Sequence, residues 1–294
     1  MKYDYIEETV KHDLIQEVQK FNPYHGSDGR FSSASGYASF TIRTKDPAKQ
    51  HMADMAMARE KERNASNGTA RVKEAENNMQ DLLKSDAVVK LQGCDPDVAA
   101  ESVAAVKKVM DRYPIAKDAI GGITTDDVSD HFKNNPGTMA CYDRGTRMVH
   151  LNTKYYGDKG EFDKAVKEAE EKQFHPKDCK SDAVIVHEIG HAVDHYVSEL
   201  AIGQWESNWG EDRISTRKWN NDIRSAQRRG ETVTSKTIRD NLSGYASKSP
   251  GEYFAEGFAE GIMSPTPRKT ATSIIKHLDT YVNKATTNPK ESFW

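Results

Sequence analysis

The sequence predicts an α+β fold that is mainly helical, with a small mixed sheet and an extended or helical N-terminal region ahead of it. Two apolar patterns with a helical period, over residues 97–112 and 181–200, predict helices that each bury one face. Between them, residues 138–142 and 147–152 flank a turn-forming segment at 143–146, which predicts a β-hairpin. The 294 residues leave room for one sizeable domain and additional segments.

The first 92 residues divide into two predicted segments. Residues 1–45 are turn-prone and rich in Gly and Ser around 22–33, so we expect an extended or flexible segment there. Residues 46–92 are charged, rich in Ala and Met and helix-prone, with an interruption expected at 64–68. They predict a solvated helical spacer or interaction arm. Residues 93–294 are then expected to form the main domain.

Composition and charge argue against several classes of protein. The 42 basic and 45 acidic residues give a net charge of −3, without the basic excess that is typical of nucleic-acid binding. No apolar run approaches the length of a membrane span, and residues 1–8 are not expected to form a signal peptide. The three cysteines, Cys94, Cys141 and Cys179, are widely spaced, which favours a reducing compartment. We therefore expect neither nucleic-acid partners nor membrane spans.

One pentapeptide in the second predicted helix indicates a particular chemistry. In His187-Glu188-Ile189-Gly190-His191 the two histidines are four residues apart, so both imidazoles lie on one helical face and can bind the same metal ion. Glu188 lies beside them, where it could act on a water bound to that ion. This H-E-x-x-H pattern is typical of zinc hydrolases, in which the glutamate is the general base. The alternative is a pair of ordinary core histidines.

A catalytic zinc ion needs a third protein ligand, and a second motif offers one. Ser249 and the proline after it predict the start of a helix on which Glu252, Glu256 and Glu260 share one face. Glu252 is the expected ligand, and Glu256 is expected to orient a ligand histidine from behind. The alternative is an exposed acidic stripe. For Asp194 two interpretations stay open: it could orient a ligand ring, or it could be a solvent-exposed helix residue.

Together these motifs resemble those of a known peptidase family. The segments 187–194, 241–245 and 252–258 are similar to the catalytic domain of the anthrax lethal-factor family and to the related Pro-Pro endopeptidases, gluzincins of one clan. The strong similarity covers about residues 190–260. Residues 147–152 and 174–177 extend it more weakly, towards lethal-factor-like peptidase domains encoded in phages and mobile elements.

This resemblance implies a zincin-type metallopeptidase domain that binds one Zn²⁺ per chain. Its metal ligands would be His187, His191 and Glu252, and its general base would be Glu188. Tyr245 stands seven residues before Glu252, as the corresponding tyrosine does in the family, and its hydroxyl would support the oxyanion. The implied reaction is hydrolysis of peptide bonds in a polypeptide substrate.

The predicted hairpin has a place in this scheme. In zincins a strand just ahead of the metal helix forms the edge of the sheet, where an extended peptide can add itself by main-chain hydrogen bonds. We expect that edge at residues 147–152, so that Met148, Val149, His150 and Leu151 would lie beside the substrate. The alternative is an ordinary core hairpin.

The N-terminal segment carries a separate resemblance. N-P-Y-H at residues 22–25, followed by G-R-F-S-S at 29–33, resembles a pattern that recurs in phage head-associated proteins. It predicts a phage capsid or head protein as a partner of residues 1–45, and a location in the host cytoplasm, the virion or both. A disordered tail is the alternative. The rivals to an enzyme are therefore a virion structural or interaction protein with a silent zinc domain, and a zinc-stabilised scaffold without turnover.

Overall fold

The computed structural model describes residues 47–125, 132, 134–203 and 212–290. Helices make up most of this part of the chain, and one small sheet contains both parallel and antiparallel strands. The predicted α+β class, mainly helical with a small mixed sheet, is therefore confirmed. The phage-like segment within residues 1–45 lies outside the described residues, so its role stays a prediction. None of the described helices combines the length and apolar character needed to cross a membrane.

Helix α1 (Pro47–Leu82) runs without a break for 36 residues, so the predicted interruption at 64–68 is wrong. A single glycine such as Gly68 weakens a helix by only about 1 kcal/mol, and the flanking Ala- and Glu-rich turns are strong helix formers. The side chains described between residues 51 and 70 are mostly exposed. Nearer its end, α1 turns Ala75 and Met79 into the same core as the elements that follow.

Four short strands form the sheet, in the order β1-β2-β4-β3. Their bounds are β1 (Val88–Lys90), β2 (Gly122–Thr124), β3 (Ala140–Asp143) and β4 (Met148–Leu151). The pairs β1–β2 and β2–β4 are parallel, whereas β3 and β4 are antiparallel, with Ala140 opposite Leu151 and Asp143 opposite Met148. The predicted hairpin is thus confirmed.

The predicted position of the sheet edge is wrong. Met148, Val149, His150 and Leu151 all lie in β4, which pairs with β2 on one side and with β3 on the other. Within the described residues, β3 is the outermost strand on that side. The error arises because β4 is enclosed by its parallel pairing with β2, a strand of three residues that is too short to show any periodic pattern in the sequence.

Both predicted amphipathic helices are present. Helix α2 (Pro96–Arg112) is capped by Asp95, whose side chain accepts hydrogen bonds from the first-turn amides. Pro96 occupies the first helical position, where a backbone N–H would have no partner within the helix. After the short helix α3 (Ala116–Ala119) and the hairpin come α4 (Thr153–Tyr156), α5 (Lys159–Glu171) and the central helix α6 (Asp182–Ala201). Helix α6 is buried around most of its circumference.

The remaining elements follow α6 in the chain. They are α7 (Ile214–Arg228), α8 (Ser235–Asn241), a 3₁₀ turn (Tyr245–Ser247), α9 (Pro250–Met263) and α10 (Lys269–Thr287). Helices α2, α7, α9 and α10 and strand β3 all contact α6, and α10 also packs against α9. The helix that carries the two predicted metal-binding histidines is therefore at the centre of the core.

Helices α6 and α9 approach each other closely at Gly190. A Cβ atom at this position would lie 3.1 Å from the Cα of Ala255 and 3.1 Å from the Cδ1 of Phe258. Both distances are shorter than ordinary van der Waals contact, so only glycine fits without displacement of the neighbouring helix. Because Gly190 lies between the two histidines in the chain, this contact brings their turn of α6 against the first turns of α9.

Replacing Gly190 with leucine should therefore destabilise the protein. We expect the free energy of unfolding to fall by about 1–3 kcal/mol, because the added side chain overpacks a helix contact that cannot expand cheaply. Gly137→Leu is the matched control, since a Cβ at Gly137 meets no atom within 4 Å. Chemical denaturation followed by circular dichroism measures both variants, and equal stabilities would contradict close packing at Gly190.

Candidate metal centre

Three side chains from two helices meet at one point. Nε2 of His187 lies 3.0 Å from Oε2 of Glu252 and 3.1 Å from Nε2 of His191. Nε2 of His191 lies 3.4 Å from the same Glu252 oxygen. This group can hold a metal ion, because each residue offers one ligand atom and the three atoms face each other. The two histidines are therefore not a pair of independent core residues.

The group is partly open to solvent. The exposed fractions of the side chains are 11% for His187, 21% for His191 and 22% for Glu252. His187 is the inner ligand, and the other two border the opening. A ligand set of this kind leaves a side from which a small molecule could reach a bound ion.

The first turn of α9 fixes the position of Glu252. The hydroxyl of Ser249 caps the helix by accepting a hydrogen bond of 3.1 Å from the amide of Glu252, as the sequence predicts. At the next residue of the same turn, the hydroxyl of Tyr253 donates to Asp222 of α7 at 2.8 Å, and its ring meets Trp219 edge-on. The turn that carries the metal-facing carboxylate is thus held by its own cap and by α7.

The imidazoles and carboxylates of this group shift each other's pKa values. Burial by itself would lower the pKa of His187, but the carboxylates of Glu252 and Glu256 hold that pKa well above its ordinary value. Burial would raise the pKa of Glu252, but the imidazoles of His187 and His191 hold it below its ordinary value. The cluster therefore stabilises bound positive charge, which a metal ion can supply.

Glu256 lies directly behind His187. Its Oε1 is 2.9 Å from Nδ1 of that histidine, and its side chain is buried. With Nε2 facing the other ligand atoms, Nδ1 is the nitrogen that donates to the carboxylate, which orients the ring. Glu260, one turn further, is buried as well and pairs with Arg268. The alternative of an exposed acidic stripe is therefore wrong.

Glu188 is buried on α6, and its carboxylate affects the pKa of two neighbouring residues. Burial is the main cause that raises the pKa of Cys141 in β3 to about 11, and the Glu188 carboxylate adds to it. The same carboxylate contributes to the raised pKa of Tyr245. Glu188 thus lies next to His187 on the helix that packs against strand β3.

Tyr245 begins the 3₁₀ turn and faces the first ligand. Its ring centroid is 5.8 Å from that of His187, with the two rings edge to face. Burial, with smaller contributions from the carboxylates of Glu252 and Glu188, raises the pKa of Tyr245 to about 12. The amine of Lys248 lies 4.0 Å from the centre of the tyrosine ring. The Tyr245 ring therefore lies against a residue of the metal-binding group, and its hydroxyl keeps its proton at neutral pH.

Asp194 is neither exposed nor bonded to a ligand ring. Its side chain is buried, and its two oxygens accept hydrogen bonds from the amide of Ser215 at 3.0 Å and from the hydroxyl of Ser215 at 2.7 Å. Of the two interpretations that the sequence left open, the solvent-exposed residue is wrong, and the expected orientation of a ligand ring by Asp194 is not what its hydrogen bonds show. Among the described contacts, the carboxylate joins α6 to the start of α7 instead of orienting a ligand histidine, because the chain after residue 212 returns across this face of α6.

The role of Ser243 was not predicted from the sequence. It lies within the motif at residues 241–245, yet its spacing from Glu256 has no helical or strand period that would indicate a contact. In the structure its hydroxyl donates a hydrogen bond of 2.5 Å to Oε2 of Glu256. Strand β3 was likewise not predicted to pack against α6, the helix that carries the two histidines.

No protein-family model matches the sequence, and no curated protein matches it. The side chains of this site, and the chemistry that they allow, are therefore the basis for the function proposed below.

We expect the purified protein to bind one divalent metal ion per chain, and a His187→Ala/His191→Ala variant to bind none at the same free metal concentration. Elemental analysis after gel filtration measures the content, and the melting temperature should rise with added metal in the wild-type protein only. His51→Ala is the control, because His51 is exposed on α1. Equal metal contents in the wild-type protein and the double variant would contradict the assignment.

Proposed function

We propose that the protein is a zinc-dependent endopeptidase. The observation that carries the proposal is the convergence of two imidazole nitrogens and one carboxylate oxygen within 3.0–3.4 Å of one another. Glu188 and Tyr245 supply a base and a hydroxyl beside this group, and the group is partly open to solvent. Each residue type that hydrolysis of an amide requires is therefore present at one place.

Zinc is favoured over other metals by the ligand set and its dimensions. Two histidines and one glutamate form a known set of ligands for catalytic zinc. Ligand atoms bound tetrahedrally at about 2.0–2.1 Å from zinc are roughly 3.3–3.4 Å apart, which is close to the separations seen here. Among the described residues, no fourth His, Cys, Asp or Glu joins His187, His191 and Glu252. This disfavours a closed, purely structural zinc site.

The protein's own residues can perform the proton transfers of peptide hydrolysis. A bound zinc ion would supply Lewis acidity that makes water a better nucleophile. Glu188 accepts a proton from the attacking water and delivers it to the nitrogen of the leaving peptide as the C–N bond breaks. The former carbonyl oxygen carries negative charge after the attack, and Tyr245 donates a hydrogen bond to it. Glu256 keeps the His187 ring oriented throughout.

A polypeptide substrate is favoured by the position of β3. This strand is the outermost strand of the described sheet on one side, and it packs against α6, the helix that carries Glu188. An extended chain can pair with such an edge through main-chain hydrogen bonds, which suits peptides of varied sequence. We therefore propose β3, residues 140–143, as the substrate strand in place of residues 147–152.

Glu188→Gln should strongly lower the rate of peptide cleavage and leave the metal content unchanged. Glutamine is nearly the same size but cannot accept the proton, and loss of general acid–base catalysis typically lowers turnover by about 10²–10⁴-fold. Cleavage of a peptide library, with metal analysis of the same preparation, measures both quantities. Glu171→Gln, an exposed position at the end of α5, is the control. Wild-type cleavage rates in Glu188→Gln would refute the proposal.

Tyr245→Phe should lower kcat by about 10²–10³-fold with little change in KM, because the hydroxyl acts on the oxyanion more than on the bound substrate. Metal content should stay at the wild-type level. Steady-state kinetics on the best library peptide measures the effect. Tyr281→Phe serves as the control, since its hydroxyl accepts a hydrogen bond from Arg217 of α7. If both variants keep the wild-type kcat, Tyr245 does not support the oxyanion.

A further inference from the structure

The carboxylate of Glu256 is shared between the metal-ligand helix and the turn that carries Tyr245. Its Oε1 lies 2.9 Å from Nδ1 of His187, and its Oε2 accepts the hydrogen bond of 2.5 Å from the hydroxyl of Ser243. Ser243 is 0% exposed and Glu256 is 4% exposed. Because solvent does not reach this pair freely, removal of either partner leaves a buried polar group unsatisfied.

The Ser243 hydroxyl also closes the turn. It accepts a hydrogen bond of 3.0 Å from the amide of Ala246, three residues later. A serine hydroxyl has one proton, so the proton given to Glu256 leaves the oxygen lone pairs for Ala246. Tyr245 lies between these two residues in the chain. The position of its backbone therefore follows the position of the serine oxygen, and its ring lies against His187.

We propose that Ser243 is a positioning residue of this site. Through Glu256, the Ser243 hydroxyl holds the ligand His187 and the Tyr245 turn at a constant separation. The distance between the bound metal ion and the Tyr245 hydroxyl, which supports the oxyanion, is thereby kept constant. The effect on turnover rests on the proposed peptidase function. The effect on metal retention requires only that the site binds a metal ion.

The turn has further support that does not involve Glu256. The amide of Gly244 donates a hydrogen bond of 2.5 Å to the carbonyl oxygen of Gln173, in the loop before α6. The hydroxyl of Ser247 donates to the carbonyl oxygen of Gly244 at 2.8 Å. We therefore expect the turn to stay folded when Ser243 loses its hydroxyl, so that a substitution there tests the link to the carboxylate.

Ser243→Ala is the test variant, and Ser247→Ala is the matched control, because it removes a hydroxyl from the same turn without touching Glu256. We expect zinc-loaded Ser243→Ala to release zinc to a metallochromic chelator about tenfold faster than the wild-type protein. This is the lower end of the roughly 10–100-fold loss of metal affinity that follows when a partner of a metal ligand is removed. The kcat of Ser243→Ala should also fall about tenfold at an unchanged KM. Ser247→Ala should release zinc at the wild-type rate.

A double variant measures the coupling to Tyr245. If Ser243 acts on turnover through the tyrosine hydroxyl, adding Ser243→Ala to Tyr245→Phe should lower kcat by less than about twofold further. Full additivity of the two effects would overturn the link to Tyr245. Equal zinc-release rates in Ser243→Ala and Ser247→Ala would overturn the link to His187.

Ser243→Cys provides a second variant if Ser243→Ala does not fold. The thiol keeps roughly the size of the side chain but donates only a weak hydrogen bond, so zinc release should again be faster than in the wild-type protein. An absence of cleavage by zinc-loaded wild-type protein would refute the proposed function. The comparison of zinc-release rates would still decide whether Ser243 positions the ligand.

Discussion

The close contact between α6 and α9 is the constraint on which the site depends. Its ligands come from two helices that are 65 residues apart in the chain, measured from His187 to Glu252. They can bind one ion only if the helix backbones approach each other within side-chain reach, and the missing side chain of Gly190 permits this approach. The geometry of the site is therefore set by core packing at a residue that has no polar group of its own.

Burial of acidic side chains is the second constraint. Glu252, Glu256 and Glu260 face the interior from one side of α9, and each meets a different partner: the two imidazoles, the back of His187 together with Ser243, and Arg268. An uncompensated buried carboxylate is unfavourable by several kcal/mol. The protein thus places a compensating donor or cation at every step along the helix. At the outer end, Glu252 faces only the two imidazoles, and a divalent ion would add further positive charge beside its carboxylate.

Local patterns explain which parts of the site could be predicted. The four-residue spacing of His187 and His191, and that of Glu252 and Glu256, follows from helix geometry, so both motifs indicated their chemistry directly. The contacts of Asp194 and Ser243 could not be predicted, because each joins residues whose separation has no helical or strand period. The sheet edge was misplaced for the same reason. Which strand of the hairpin faces outwards depends on the pairing of β4 with β2, a long-range contact made by only three residues.

The two motifs also explain each other. In a helix, residues four apart are separated by about 6 Å along the axis. Glu252 and Glu256 therefore present their carboxylates to α6 at two successive positions along the contact between α9 and α6. The His187 ring lies between them, with Nε2 3.0 Å from one carboxylate and Nδ1 2.9 Å from the other. A ring held at both nitrogens cannot rotate without breaking one of these contacts. The spacing of the glutamates on α9 therefore selects the ring orientation on α6, and the carboxylate behind the ring extends the same control to Ser243 and the Tyr245 turn.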